Sequence, residues 1–351
     1  MIAPRPRVAA DLPVRALIRS VPEDFVVREQ LGFEPDGSGE HVFLHLQKRG
    51  LNTQDLLQRV SALSGIHLRD IGYSGLKDRR AVTSQWVSVR MAGKPEPDWQ
   101  QLAVAGEVEL LDQHRHSRKL KRGVHRSNRF TLRLAALEGD IGALEERLQV
   151  IQQQGVPNYF GEQRFGHGGA TLAQARQWQQ RGARKLSHSK RSLLLSAMRA
   201  HLFNMLLAQR VLEGSWNRLL PGDVCILQGS RSLFPCATVE ADLAARAMAG
   251  DVHPGLPLWG RGEILQGAPQ LSWQAAVLSQ EAELCRFLED AGLQLAYRPA
   301  RLLPDDFCWQ FCDDGALQLG FSLPPGSYAT AVLAELADYR DMHGESGNSG
   351  E

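Results

Sequence analysis

Apolar positions in the first third of the chain recur at period two and are broken by turn residues, a pattern that predicts strands. Residues 41–48 alternate Val42, Leu44 and Leu46 against His41, Phe43, His45 and Gln47. Strands are also expected at 15–20 and 24–30, either side of Val21-Pro22, and at 71–74, 84–91, 107–111 and 130–134. One helix interrupts them. Leu56, Leu57, Val60 and Leu63 fall at helical spacing, and Asn52 or Thr53 is available to cap its start.

From residue 140 the period lengthens to that of helices. One is expected over 140–153, closed by Gly155 with Pro157 beyond, and two more over 170–180 and 191–213. The last carries Leu194, Leu195, Met198, Leu202, Met205, Leu206 and Val211 on one side. Short strands at 224–227 and 234–239 and helices at 241–249 and 273–291 follow. Residues 307–312 and 317–323 then read as strands around Asp313-Asp314-Gly315, a hairpin turn, and 328–339 reads as a helix. An isolated hairpin is barely stable in water, so this one is expected to join the sheet of the first third. The fold class is therefore α+β: a mixed, largely antiparallel sheet with helices, plus an inserted α/β domain. The catalytic domain is expected to be discontinuous, 1–155 with 302–340, around an insert at 156–301. A polar tail at 341–351 is expected to be disordered.

Bulk properties narrow the class of function. No apolar run reaches the roughly 18 residues of a membrane span, and the first seven residues have no apolar core. Five scattered cysteines argue against a disulfide framework, so a cytoplasmic protein is expected. The net charge of +1 hides local excess: residues 113–133 hold eight Lys or Arg and no acid. A second basic run comprises Arg181, Arg184, Lys185, Lys190 and Arg191, with Arg199 further on. Either run alone could be a solvated face; together they favour a bound polyanion.

One segment carries the chemistry. In Gly75-Leu76-Lys77-Asp78-Arg79-Arg80 a glycine turn presents one carboxylate among three cations. Such a setting favours an ionised carboxylate, draws a phosphodiester backbone, and leaves Asp78 able to act as a nucleophile. Composition alone also fits a solvated turn. A phosphate loop is excluded, because no Gly-Lys-Ser/Thr follows.

This segment, continued by Ala81-Val82-Thr83-Ser84-Gln85-Trp86, resembles the Gly-x-Lys-Asp, Ala-x-Thr-x-Gln signature of TruD-type tRNA pseudouridine synthases. The likeness continues in order through 22–27, 127–132, 156–166 and 325–330, nearly the whole chain. It implies that Asp78 is the nucleophile and that Arg19 pairs with it. Phe25, Asn128 and Tyr328 would contact the target uridine, with Phe130 beside it and Lys77 in the same loop. Two positions depart from the pattern: Tyr328 stands where the family has Phe, and Arg19 where it has Lys. The likeness also implies a substrate uridine at position 13 in the D arm of tRNA, flipped from its stack, with no cofactor and no metal.

Read from the residues alone, Phe25 is an inward strand residue, Asn128 a turn or strand-entry residue, and Arg164 a phosphate ligand or a local ion pair. His41, His45, His114 and His116 lack partners at zinc spacing and are expected to be solvated. A monomer is expected. A non-catalytic tRNA-binding or chaperone module would explain the basic runs but leave Asp78 idle. A nuclease using Asp305/Asp306 or Asp313/Asp314 would need acids that read as turn formers.

Overall fold

The computed structural model describes residues 3, 5–9, 11–181, 186–230 and 232–342. Along the chain run β1 (Val14–Ile18), β2 (Phe25–Gln30), β3 (His41–Arg49), α1 (Thr53–Ser64), β4 (Gly72–Tyr73), β5 (Val82–Arg90), β6 (Val108–His116) and β7 (Ser127–Gly139). Next come α2 (Ile141–Gln154), β8 (Val156–Pro157), α3 (Ala170–Arg181), α4 (His188–Leu212), β9 (Val224–Leu227), β10 (Leu233–Pro235), α5 (Ala241–Met248) and β11 (Val252–Leu258). The chain closes with α6 (Ala268–Val277), α7 (Ala282–Asp290), β12 (Ala296–Pro299), β13 (Arg301–Leu302), β14 (Asp305–Phe311), β15 (Leu317–Leu323), α8 (Ala329–Leu333) and β16 (Ala337–Asp341).

These elements group into two compact units. The sheet unit comprises Pro13–Ile141, Pro304–Gly326 and Ala337 onward. The helical unit comprises Gly142–Leu303, Ser327–Leu336 and the residues up to Leu12. The expected domain breaks at 155/156 and 301/302 thus differ from the observed grouping, which assigns nearly all of α2, the first residues and α8 to the helical unit.

In the sheet unit β7 is the spine. It pairs antiparallel with β15 over 128–134, with β2 over 127–132, and with β1 further along. The order β14-β15-β7-β2-β5-β3-β6 is mostly antiparallel, with β2 parallel to β5 and β1 parallel to β16. The terminal hairpin does join the first sheet. Val42, Leu44 and Leu46 of β3 are fully buried against Leu56, Leu57 and Val60 of α1. Phe43 is equally buried on the opposite face, with Trp86 and Leu120. Each such side chain contributes roughly 1.5–3 kcal/mol of transfer free energy.

The helical unit has a four-stranded antiparallel sheet, β10-β9-β11-β12, with its helices, and Leu194, Met198, Leu202 and Leu206 of α4 lie in its main core.

Two expected helices change form. The one expected over 328–339 stops at Leu333, and β16 then pairs Val14 to Ala337 through Ile18 to Asp341. A ladder to β1 outweighs local helix preference there. The one expected over 273–291 is two helices, parted by a 3-10 turn at Ser279–Glu281, where Glu281 turns toward Arg176.

Candidate active site

The loop between β4 and β5 is tied down along its length. Thr53 Oγ1 accepts from the Lys77 amide at 3.0 Å and donates to Gln85 Oε1. Asn52 occupies the cap position of α1 without a side-chain bond, so Thr53 serves the loop rather than the helix. Lys48, fully buried, donates to the Asp78 carbonyl at 2.6 Å, and burial pushes its ammonium down to about 8. The Asp78 backbone is therefore gripped from beneath.

Its side chain is partly open, 30% exposed. Oδ1 accepts from the Arg80 amide at 3.1 Å, and Oδ2 faces an Arg19 guanidinium nitrogen at 3.2 Å. Arg19 is buried, its guanidinium 4.1 Å above the Phe25 ring, and its other terminal nitrogen reaches Asp341 Oδ2 at 3.1 Å. One fork thus bridges two carboxylates. A lysine ammonium lacks that planar geometry, which gives the Lys-to-Arg departure a physical use. Arg19 holds φ at +55°, a region that costs a side-chain-bearing residue about 1–2 kcal/mol. That strain is held in place by the two ion pairs and the ring beneath.

Lys77 points inward. Its ammonium pairs with the fully buried Glu29 carboxylate at 2.5 Å and donates to Asn128 Oδ1 at 2.9 Å. The Lys77 charge is thus taken up by Asn128 and Glu29, and its side chain does not belong to a solvated turn. Asn128 Nδ2 donates to His125 Nε2 at 3.1 Å, and His125 Nδ1 meets Ser74 Oγ. Burial first, then the Lys77 charge, hold the His125 imidazole down to about 4, so it is neutral at pH 7. With Nε2 accepting, Nδ1 carries the proton. The amide of Asn128 is thereby fixed from both ends.

The aromatic residues sit deeper. Phe25 and Phe130 meet edge to face at 6.2 Å, and Phe130 stacks on Phe321 at 5.5 Å. Both are buried, at 5% and 8% exposure. Pattern reasoning read Phe25 as an inward strand residue, and in this conformation it lies beneath Arg19.

Tyr328 and Arg164 belong to the helical unit. Arg164 Nε donates to the Tyr328 hydroxyl at 3.0 Å and another nitrogen to Ser196 Oγ at 3.1 Å. Among the described residues no carboxylate pairs with it, so the local-ion-pair alternative does not hold there. The hydroxyl that marks Tyr328 as a departure has a defined partner. Gly161 lies close by: a Cβ there would come within 3.1 Å of the Tyr328 ring.

The second basic run is partly structural, since Arg199 donates to the Leu258 carbonyl at 2.8 Å, while Arg184 and Lys185 lie outside the described residues. His45 stacks on Trp86 at 4.6 Å and His114 pairs with Asp112 at 2.8 Å. Among the described residues no group of three or more His, Cys, Asp or Glu could hold a metal ion. No described helix is long and apolar enough to cross a membrane. Sequence reasoning missed Glu29, Lys48, Thr53, His125 and Asp341. Asp341 was assigned to the polar tail, yet it ends β16 and holds Arg19.

The family model described as tRNA pseudouridine synthase D (TruD) matches residues 7–173 and 169–336. The chain is 46% identical over 334 residues to tRNA pseudouridine synthase D of Methylococcus capsulatus, covering 95% of this chain and 94% of that one. It is 44% identical over 323 residues to the protein of that name from Pseudomonas aeruginosa strain PAO1, covering 92% and 90%. In fold it is similar to the crystal structure of a putative tRNA pseudouridine synthase D from Methanosarcina mazei. That match has a TM-score of 0.69 at 20% identity and covers 94% of this chain and 95% of that one.

Proposed function

This chain belongs to the TruD family of tRNA pseudouridine synthases, isomerases by class, and we propose that it converts the uridine at position 13 of tRNA, in the D arm, to pseudouridine with Asp78 as nucleophile. The observation that carries the reading is the open carboxylate of Asp78 held at 3.2 Å by the buried guanidinium of Arg19. The reaction breaks the N1–C1′ bond, turns the base, forms C5–C1′, and releases the C5 proton while N1 gains one. Nothing is oxidised. A uridine flipped from its stack brings C6 and C1′ within reach of one carboxylate, and attack at either satisfies this balance.

The supporting residues have distinct roles. Arg19 keeps Asp78 oriented, and the Lys77–Asn128–His125 chain holds an amide ready to hydrogen-bond the nucleotide. Tyr328 and Arg164 are proposed as contacts to the same RNA. Phe25 lies under Arg19, with Phe130 packed edge to face against it. Asp78→Asn is expected to lower turnover by roughly a thousandfold or more while tRNA binding survives. Tritium release from tRNA carrying 5-³H-uridine, with binding followed separately, checks both. Normal release by the variant would remove Asp78 from the mechanism. Stable tRNA binding by the wild type without any release would instead favour a chaperone role.

A further inference from the structure

Residues 113–133 form one basic run in the sequence, but the structure divides it. Arg115 pairs with Glu96, Arg129 with Asp306 at 3.6 Å, and Arg133 with Asp314. Arg118, Lys119, Lys121 and Arg122 pair with no carboxylate among the described residues. The last three line a groove of about 590 Å³ together with Leu68, Arg69 and Tyr73. Arg69 has Asp70 at 3.5 Å, but both side chains are largely exposed, and such a pair is weak.

The cations of this groove sit on a fixed strap. Leu120 is buried between Lys119 and Lys121, and its amide donates to Ser88 Oγ at 2.9 Å. The Gly123 amide donates to the Ser74 carbonyl at 2.8 Å. Gly72 lets the strap approach: a Cβ there would lie 2.4 Å from the Leu120 carbonyl oxygen. Arg122 lies 5.1 Å above the Tyr73 ring and donates to its hydroxyl, and Lys119 donates to the Arg69 carbonyl at 2.6 Å. Positive charge is thus pre-organised beside an aromatic ring, a combination that suits a nucleic-acid strand.

We propose that this groove binds the sugar–phosphate backbone of the RNA strand flanking the target nucleotide. Tyr73, in its wall, is five residues from Asp78 in the same unit, a reach of at most about 18 Å. At ~3.4 Å of rise per nucleotide, the phosphates bound there lie within a few nucleotides of the reacting base. The groove therefore sets which stretch of backbone is gripped while the base is presented. The inference rests on the reading of the protein as an RNA-modifying enzyme and adds a binding site to it.

Lys121→Glu and Arg122→Glu, alone and together, test the groove against Lys94→Glu. The control makes the same change of charge at an exposed lysine of the same unit outside the groove. Affinity for unmodified tRNA is measured over a salt series, with KM and kcat for conversion measured in parallel and thermal midpoints confirming folding. Each groove variant is expected to raise Kd and KM roughly tenfold and to flatten the slope of log K against log salt by about 1, the double variant by about 2. The control should move Kd less than about threefold, because Lys94 does not line the groove. If groove variants and control bind alike, the groove is not an RNA site, and an acidic peptide becomes the better occupant. If the wild type makes no pseudouridine but the groove variants still lose tRNA, the enzymatic reading fails and the groove stands.

Discussion

In each unit an arginine lies over a phenylalanine, Arg19 above Phe25 at 4.1 Å and Arg164 above Phe160 at 5.7 Å, and the two arginines face opposite company. Arg19 bonds two carboxylates, Asp78 and Asp341, so its cluster carries a formal charge of −1. Arg164 bonds two hydroxyls, of Tyr328 and Ser196, and shares the Phe160 ring with a second cation, Arg298, at 4.2 Å, so the groups around it are neutral or positive. The aromatic ring restricts the guanidinium in both cases; the partners decide the use. On the proposed reading one cluster presents an acid to chemistry, and the other keeps a cation for an anion. Hydroxyls position a guanidinium without neutralising it, whereas carboxylates do both.

The sharpest way to break this contrast is to remove the cation from the acidic cluster. Arg19→Met leaves Asp78 Oδ2 without its partner and two carboxylates without a shared counter-charge. A nucleophile displaced by about 1 Å can lose on the order of a hundredfold in rate, so kcat is expected to fall by about that factor. Arg19→Lys keeps one contact and should lose about tenfold, because an ammonium lacks the two-pronged fork. Asp341→Asn, which frees the second prong, belongs between wild type and Arg19→Lys. Single-turnover rates at saturating tRNA measure the series. Wild-type turnover by Arg19→Met would show that the ion pair does not position the nucleophile.

How far this site was legible in the sequence follows from where its partners come from. Asp78 and Asn128 lie in motifs, and the alternation of Val42, Leu44 and Leu46 marks its strand without help. The residues that fix them come from elsewhere: Glu29 pairs with Lys77 from β2, and Asp341 meets Arg19 from β16. No local pattern announces a pairing across 322 residues. Strand β11 was unread for another reason. Its sequence, Val-His-Pro-Gly-Leu-Pro-Leu, puts two prolines in an inner strand, which normally argues against one. The end of α8 was misread because alanines and leucines continue past Leu333, and only the β1 ladder ends the helix.

A smaller effect is expected one layer out, at His125. Its imidazole, held down to about 4, takes up no proton in the folded protein until the pH nears that value. The unfolded chain takes one near 6.5. Stability from this group is therefore complete above about 6.5 and is lost as pH falls toward 4. The thermal midpoint of the wild type should drop more steeply over that window than that of His125→Leu. At pH 7, His125→Leu should lower kcat about tenfold by releasing Asn128, and His125→Gln, which restores an acceptor, should recover most of it. Equal pH profiles for wild type and His125→Leu, with equal kcat, would remove His125 from the positioning chain.

The smallest effect tests the other cluster. Tyr328→Phe deletes the hydroxyl that accepts from Arg164 at 3.0 Å and keeps the ring. The lost hydrogen bond is worth about 0.5–1.5 kcal/mol, which lowers the thermal midpoint by a few degrees at most. Arg164 keeps Ser196 and its charge, so KM for tRNA should rise no more than about threefold, whereas Arg164→Met removes the cation and should raise KM roughly tenfold. The difference between these two variants separates charge from orientation. Should Tyr328→Phe weaken tRNA as much as Arg164→Met, the hydroxyl rather than the guanidinium would be the contact that matters, and the two arginines would differ in less than their net charge.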